Sequence, residues 1–237
     1  MTEAHQPVVW ITGASGALGH AICTQLQGAG AQVIASGRIL DTLPVAGDGL
    51  SRLLLDVTDR QAVNAAARDI LEQYGRIDGL VTCSTIPRFG DFLSLQDEDW
   101  NDVFDAKLLG SLRVARAVIP AMISQQGGSI VFISGRGGSV PPPRHLPGAC
   151  ANAALNLLAQ GLATEYGQYG VRVNALAPGP IQSPRLEAMS KGVANATSAL
   201  GGPGTPADVA AAVSFLLSSQ ARHVTGICLP VDGGRAR

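Results

Sequence analysis

The sequence predicts one α/β domain of the doubly wound kind: a seven-stranded parallel sheet with helices on both faces, covering residues 1–237. Three observations predict it. Short apolar, β-branched runs alternate with helix-length periodic segments along the whole chain, without a linker or an internal repeat. The first of those runs, residues 8–12, is apolar and β-branched, of the kind that forms a strand buried on both faces. A glycine turn, Gly13-Ala14-Ser15-Gly16-Ala17-Leu18-Gly19, joins the first run to the first periodic segment, and a strand, a glycine turn and a helix start in that order form a dinucleotide fingerprint.

The first strand covers residues 8–12. Glycines at 13, 16 and 19 permit a tight turn, the close approach of a diphosphate and close packing of helix on strand. Unpaired backbone N–H groups and the helix dipole favour an anion at this point, so Gly13, Ser15, Gly16, Ala17 and Leu18 are the phosphate-binding candidates. The helix carries Leu18, Ile22 and Leu26 and stops at Gly28 and Gly30. The second strand, 32–36, ends at Gly37-Arg38. An acid at that tip would bind a free ribose 2′-hydroxyl, whereas an arginine suits a 2′-phosphate. Arg38 therefore favours NADP over NAD through a contact worth about 1.5–3 kcal/mol, the alternative being a solvated surface side chain.

Residues 41–49 read as loop, with little room for a crossover helix. The third strand, 52–55, leads to Asp56-Val57, which would place a carboxylate near the adenine edge. A helix over 59–74 is capped by Thr58 or Asp59 and ended by Gly75. Strands follow at 77–83, 128–134, 171–177 and 226–231, with helices at 95–125, 148–166 and 207–218. Pro120 lies late enough to kink its helix only near the end.

Charged residues make up 15% and apolar ones 46% of the chain, and mean hydropathy is +0.21. An average globular protein carries about 25% charge, so surplus apolar surface must be buried, and subunit contacts are the economical place. No apolar run approaches the roughly 18 residues of a membrane span. A net charge of −1 and a pI near 6.4 leave no footprint for nucleic acid or an anionic membrane. Cys23, Cys83, Cys150 and Cys228 are dispersed, which suggests neither a metal site nor a disulfide framework. The first strand starts within ten residues of Met1, so neither a signal nor a transit peptide is expected. A cytoplasmic location is expected.

The chain resembles the short-chain dehydrogenase/reductase family in its compact single-domain branch. The turn TGASGALG, the segments LLLDV, W100NDVFDAKLLG, GSIVFIS and VRVNALAPGPI, and the terminal TGICLPVDGG fall in that family's order and spacing over nearly the whole chain. The resemblance implies a Rossmann-type sheet and descent from an NADPH-dependent carbonyl reductase. Ala17 stands where the branch usually has glycine, and Gly16 supplies a GxxGxxG spacing instead.

The family's chemistry uses an asparagine on the long helix after strand four, a serine after strand five, and a YxxxK pair. The tyrosine is the general acid. The lysine lowers its pKa and holds the nicotinamide ribose, and the serine orients the carbonyl. Counted back from Pro178-Gly179, the tyrosine slot is Gly148, the lysine slot Asn152 and the serine slot Gly135; W100NDVFDAKL puts Lys107 in the asparagine slot. All four positions are vacated, and no tyrosine lies between Tyr74 and Tyr166. General acid help is commonly worth about 10²–10⁴-fold. The family's NNAG loop is Thr82-Cys83-Ser84-Thr85 here, and Thr85 replaces a glycine where backbone approaches the cofactor. Ser183 could contact the carboxamide from the slot the family fills with threonine. The adenine half of an NADP site is thus expected intact and the nicotinamide half compromised.

Lys107, Arg136, Arg144, His145 and Cys150 flank the vacated slots as a candidate replacement set. Lys107 would act as base or Schiff-base former in an apolar cleft, or else snorkel to solvent or pair with an acid. His145 would titrate near neutrality, or sit with Arg144 as an exposed loop residue, and Cys150 would be a small buried hydrophobe. The resemblance implies oligomer contacts through the 95–125 and 148–166 helices, with a second contact at 225–234. Some relatives pair a competent subunit with a degenerate one. The expectation is a non-catalytic subunit of such a hetero-oligomer with a catalytically complete relative. The alternatives are a homo-oligomer, an enzyme of altered chemistry (cyclase, dehydratase, isomerase or unusual reductase) using Lys107, Arg136 or His145, and a sensor of NADP(H).

Overall fold

The computed structural model describes residues 6–183, 186 and 198–234. Seven strands form one parallel sheet: β1 Val8–Thr12, β2 Gln32–Gly37, β3 Leu50–Leu54, β4 Gly79–Thr82, β5 Gly128–Ile133, β6 Val171–Pro178 and β7 Cys228–Val231. Their order is β3-β2-β1-β4-β5-β6-β7. The chain winds outward from β1 to β3, then returns to β4 and winds the other way. The reversal between β1 and β4 opens a crevice at the strands' carboxyl ends.

Helices α1 Ala17–Gly28 and α6 Pro206–Leu217 cover one face, with Ile22, Leu26, Val213 and Leu216 in its core. Helices α2 Arg60–Tyr74, α4 Gly110–Ser124 and α5 Leu146–Tyr166 cover the other, around Trp10, Ile70, Val118, Phe132 and Leu155. Each such side chain buried from water is worth about 1.5–3 kcal/mol, so apolar runs in the sequence become central strands. Trp10, fully buried in β1, donates its indole N–H to Ser36 Oγ at 3.0 Å, and Ser36 Oγ donates to the Ile11 carbonyl.

Caps explain the helix ends. Asp59, rather than Thr58, caps α2 by accepting from the amides of Gln61 and Ala62, and Gly75 ends it at φ 74°. The segment at 95–125 differs from expectation. Helix α3, Asp97–Val103, starts after Gln96 as its N-cap, and the wider π turns of Phe104–Leu109 separate it from α4. Helix α5 begins at Leu146, two residues earlier than expected, because Pro147 suits the first helical turn. The 41–49 loop is open but for a short 3₁₀ turn at Leu40–Thr42.

Candidate functional site: a crevice open at one end and filled at the other

Gly13 adopts φ 68°, and a Cβ on it would lie 2.6 Å from the backbone of both Cys83 and Ser84. A Cβ on Gly19 would lie 2.5 Å from the Gly13 carbonyl oxygen. The turn is therefore pressed between β4 and its own helix. Gly16 faces outward: its Cβ would find nothing nearer than the Gly13 carbonyl oxygen at 3.6 Å. Gly16 is also the N-cap of α1, without a side-chain cap and without an acid in the first turn. The helix start therefore keeps first-turn amides without a side-chain acceptor, an arrangement that suits an anion.

A groove of about 170 Å³ opens there. Of the nucleotide-binding candidates, Gly13, Ser15, Gly16, Arg38, Asp56 and Val57 line it together. Ala17 and Leu18 do not; Leu18 packs into the core on the α1 face. Arg38 is exposed at the tip of β2 and has no ion-pair partner among the described residues. Asp56 Oδ1 accepts from the Thr58 amide at 2.9 Å and its hydroxyl at 2.8 Å, which fixes the carboxylate at the groove wall. Thr85 and Ala106 complete the far wall. A Cβ on Gly110 would meet Val57 Cγ2 at 2.6 Å, so the missing side chain in α4 seats the groove floor. Thr58, read from the sequence only as a helix cap, also borders the groove, as do Ile86 and Ala106, because which side chains border a groove depends on packing rather than on spacing.

The other end of the crevice, beyond β5, is filled. Lys107 is buried, and its Nζ donates to the carbonyls of Ile133 at 3.0 Å and Ser134 at 3.2 Å. It neither reaches solvent nor faces an open cleft. The π turns that carry it put Ala106 at the groove and Lys107 against the end of β5, a local re-aiming typical of such bulges. Asn152 is buried and its Oδ1 has no hydrogen-bond partner among the described residues. A Cβ on Gly135 would stand 2.8 Å from Asn152 Nδ2, and one on Gly138 would stand 2.8 Å from the Ala153 amide nitrogen. The 136–138 turn thus lies flat on α5. A Cβ on Gly148 would run into the His145 ring, with Nε2 nearest and Cε1 at 2.7 Å.

His145 is half-buried, not an exposed loop residue. Its ring stacks on Phe89 with centroids 4.6 Å apart and planes 26° apart. Arg144, exposed, takes φ 63° to deliver it, and the Gly90 amide donates to the Arg144 carbonyl at 3.0 Å. Arg136 is engaged in a largely buried ion pair with Asp232, Nε to Oδ2 2.9 Å. Ser183 Oγ donates to the Ile181 carbonyl and accepts from the Leu186 amide, and Ser183 does not border the groove. Cys150 is exposed rather than a buried hydrophobe. Burial pushes the thiols of Cys83 and Cys23 up to about 12, the Lys107 charge opposing it at Cys83, so neither is a thiolate near neutrality.

The donor set can be tested against a dinucleotide. At the open end an uncapped helix start, a glycine turn and a solvent-facing arginine suit a phosphorylated adenosine. At the filled end Asn152 Oδ1 is sealed from solvent and an imidazole stands against Gly148, so the residues present do not fit a nicotinamide riboside. Among the described residues, no three His, Cys, Asp or Glu side chains gather as a metal site, and no helix is long and apolar enough to cross a membrane.

Comparison with known proteins agrees with this architecture. Residues 13–236 match the family model described as Enoyl-(Acyl carrier protein) reductase. The chain is 34% identical to the 3-oxoacyl-[acyl-carrier-protein] reductase FabG of Thermotoga maritima, with 96% of each covered. It is 32% identical to the short-chain reductase protein NovJ of Streptomyces niveus, with 98% of this chain and 95% of that one covered. Similar solved structures include ElxO with NADP bound, at TM-score 0.91 and 25% identity over 98% of this chain and 99% of that one. A gluconate 5-dehydrogenase from Burkholderia cenocepacia in complex with NADP and tartrate superposes with TM-score 0.89 and 25% identity, over 96% and 94%. With its seven parallel strands, its glycine turn at the strand-order reversal and these relatives along nearly its whole length, the chain belongs to the short-chain dehydrogenase/reductase family.

Proposed function

We propose that this chain is a non-catalytic subunit that holds NADP(H) by its adenosine half and stabilises or completes a second, catalytically intact member of the same family. One observation carries the reading: the room that a side chain at Gly148 would need is taken by the His145 ring. The slot at Gly148 then holds no hydroxyl, and Lys107 is turned onto the carbonyls ending β5, so neither supplies the proton that a carbonyl oxygen would need. Two structural neighbours hold NADP, and Arg38 borders the groove where a 2′-phosphate would be read, which supports NADP(H) as the ligand. Leu109 at the end of the π turns and Leu157 on α5, 41% and 70% exposed, supply apolar surface for a partner subunit.

The test is a pair of measurements. The purified chain with NADPH and a panel of 3-oxoacyl thioesters, ketones and aldehydes is expected to consume no NADPH. Co-expressed with a YxxxK-complete relative, it is expected to co-purify with it and raise its activity or thermal stability. A second reading rests on the same imidazole, an enzyme of altered chemistry in which His145 is the acid or base. Turnover by the isolated chain that vanishes in His145→Ala would replace the first reading with this one.

A further inference from the structure

We infer that His145 and Asn152 are built-in plugs at the carboxyl end of β5, and that the groove consequently recognises an NADP-type nucleotide through its 2′-phosphoadenosine diphosphate half alone. This rests on the proposed reading of the groove as a site for the adenosine half of NADP(H) and adds the two side chains that shut out the rest. The groove is bounded by Ala106 and Thr85 at its inner end, and none of Lys107, Gly135, Gly148 or Asn152 borders it.

Each plug fits a glycine. The His145 ring lies over Gly148, where the first carbon of any side chain would collide with three ring atoms. It is held from three directions: by the stack on Phe89, by the left-handed turn at Arg144, and by the bond from the Gly90 amide to the Arg144 carbonyl. A non-glycine residue in that conformation costs on the order of 1–3 kcal/mol and persists only where its surroundings hold it. Asn152 fills the space beside Gly135, and the turn that Gly138 allows covers it. The covering leaves Asn152 Oδ1 sealed, without a donor among the described residues, where a buried acceptor costs about 1–3 kcal/mol. A ribose hydroxyl could satisfy that oxygen only if the turn lifted. A nucleotide therefore gains nothing from its nicotinamide end.

Calorimetric titration of the intact chain with NADP+, NAD+ and 2′-phospho-ADP-ribose tests the specificity. The phosphorylated pair are expected to bind within about threefold of each other, and NAD+ at least about tenfold more weakly. NADP+ binding more than about tenfold tighter than 2′-phospho-ADP-ribose overturns the inference, as does no binding by any of the three. Turnover by the chain would sink the proposed function instead, so the two failures are separate. A thermal double-mutant cycle tests the plug. Gly148→Ala alone is expected to lower the melting temperature by about 2–4 °C, by displacing the ring. In the His145→Ala background the same change is expected to raise it, as glycine-to-alanine does in an unobstructed helix. The same sign in both backgrounds means that the ring does not occupy the place, and the inference falls.

Discussion

The two ends of one crevice are built from the same kind of residue and come out opposite. Glycines shape both. At the open end Gly16 faces open space and the helix start behind it lacks a side-chain cap, so the missing side chain leaves room at the groove. Beyond β5 the glycines at 135, 138 and 148 face Asn152, the α5 backbone and His145, so the missing side chains become room for the protein itself. A glycine-rich site is open or shut according to what its neighbours do with the space.

That contrast can be broken by substitutions that separate binding from stability. The largest effect is expected from Arg38→Ala, which should cut NADP+ affinity by about 10- to 100-fold, leave NAD+ affinity unchanged and leave the melting temperature in place. Equal losses for both nucleotides would show that Arg38 does not read the phosphate. Gly138→Ala should do the reverse, destabilising by about 1–3 kcal/mol in denaturant unfolding because its methyl meets the Asn152 and Ala153 backbone, with NADP+ affinity retained. Gly16→Ala should lower NADP+ affinity by roughly tenfold while changing stability by only a few tenths of a kcal/mol, since the methyl intrudes on the ligand's side only.

The smallest effect concerns acid. Hydrogen bonds from the Thr205 amide and hydroxyl hold the Asp208 carboxyl below its ordinary 3.8 at the start of α6. A group whose folded value is depressed contributes stability that is complete above its unfolded value and is lost as pH falls through the folded one. Fraying of α6 should therefore set in below about pH 4. Asp208→Asn should abolish that step in hydrogen exchange of the first turn and leave the filled end of the crevice unaffected.

The sheet, its order of elements and the open end of the crevice were legible in the sequence because each follows from local rules. Apolar, β-branched runs make strands, and a glycine turn between a strand and a helix marks where the groove opens. Lys107, Gly135, Gly148 and Asn152 could be singled out by spacing alone. What surrounds them could not. His145 reaches Gly148 only because Arg144 takes a left-handed conformation and Phe89 arrives from a distant loop. Neither leaves a mark in spacing. Lys107 looked equally fit for solvent, an acid or a substrate, and its actual partners are backbone carbonyls, which no side-chain pattern reveals. The π turns were equally hidden, since the same residue types serve either winding.

Those wide turns at Phe104–Leu109 give the segment an unequal tolerance for change in length. Exchanging side chains there leaves the residue count intact. Losing one residue would draw the backbone back to an ordinary α turn and swing everything upstream, Trp100 included, by about 100° around the axis. Ala106 and Lys107 would then leave the groove wall and the end of β5 together. Deletions, more than replacements, are what this stretch cannot absorb.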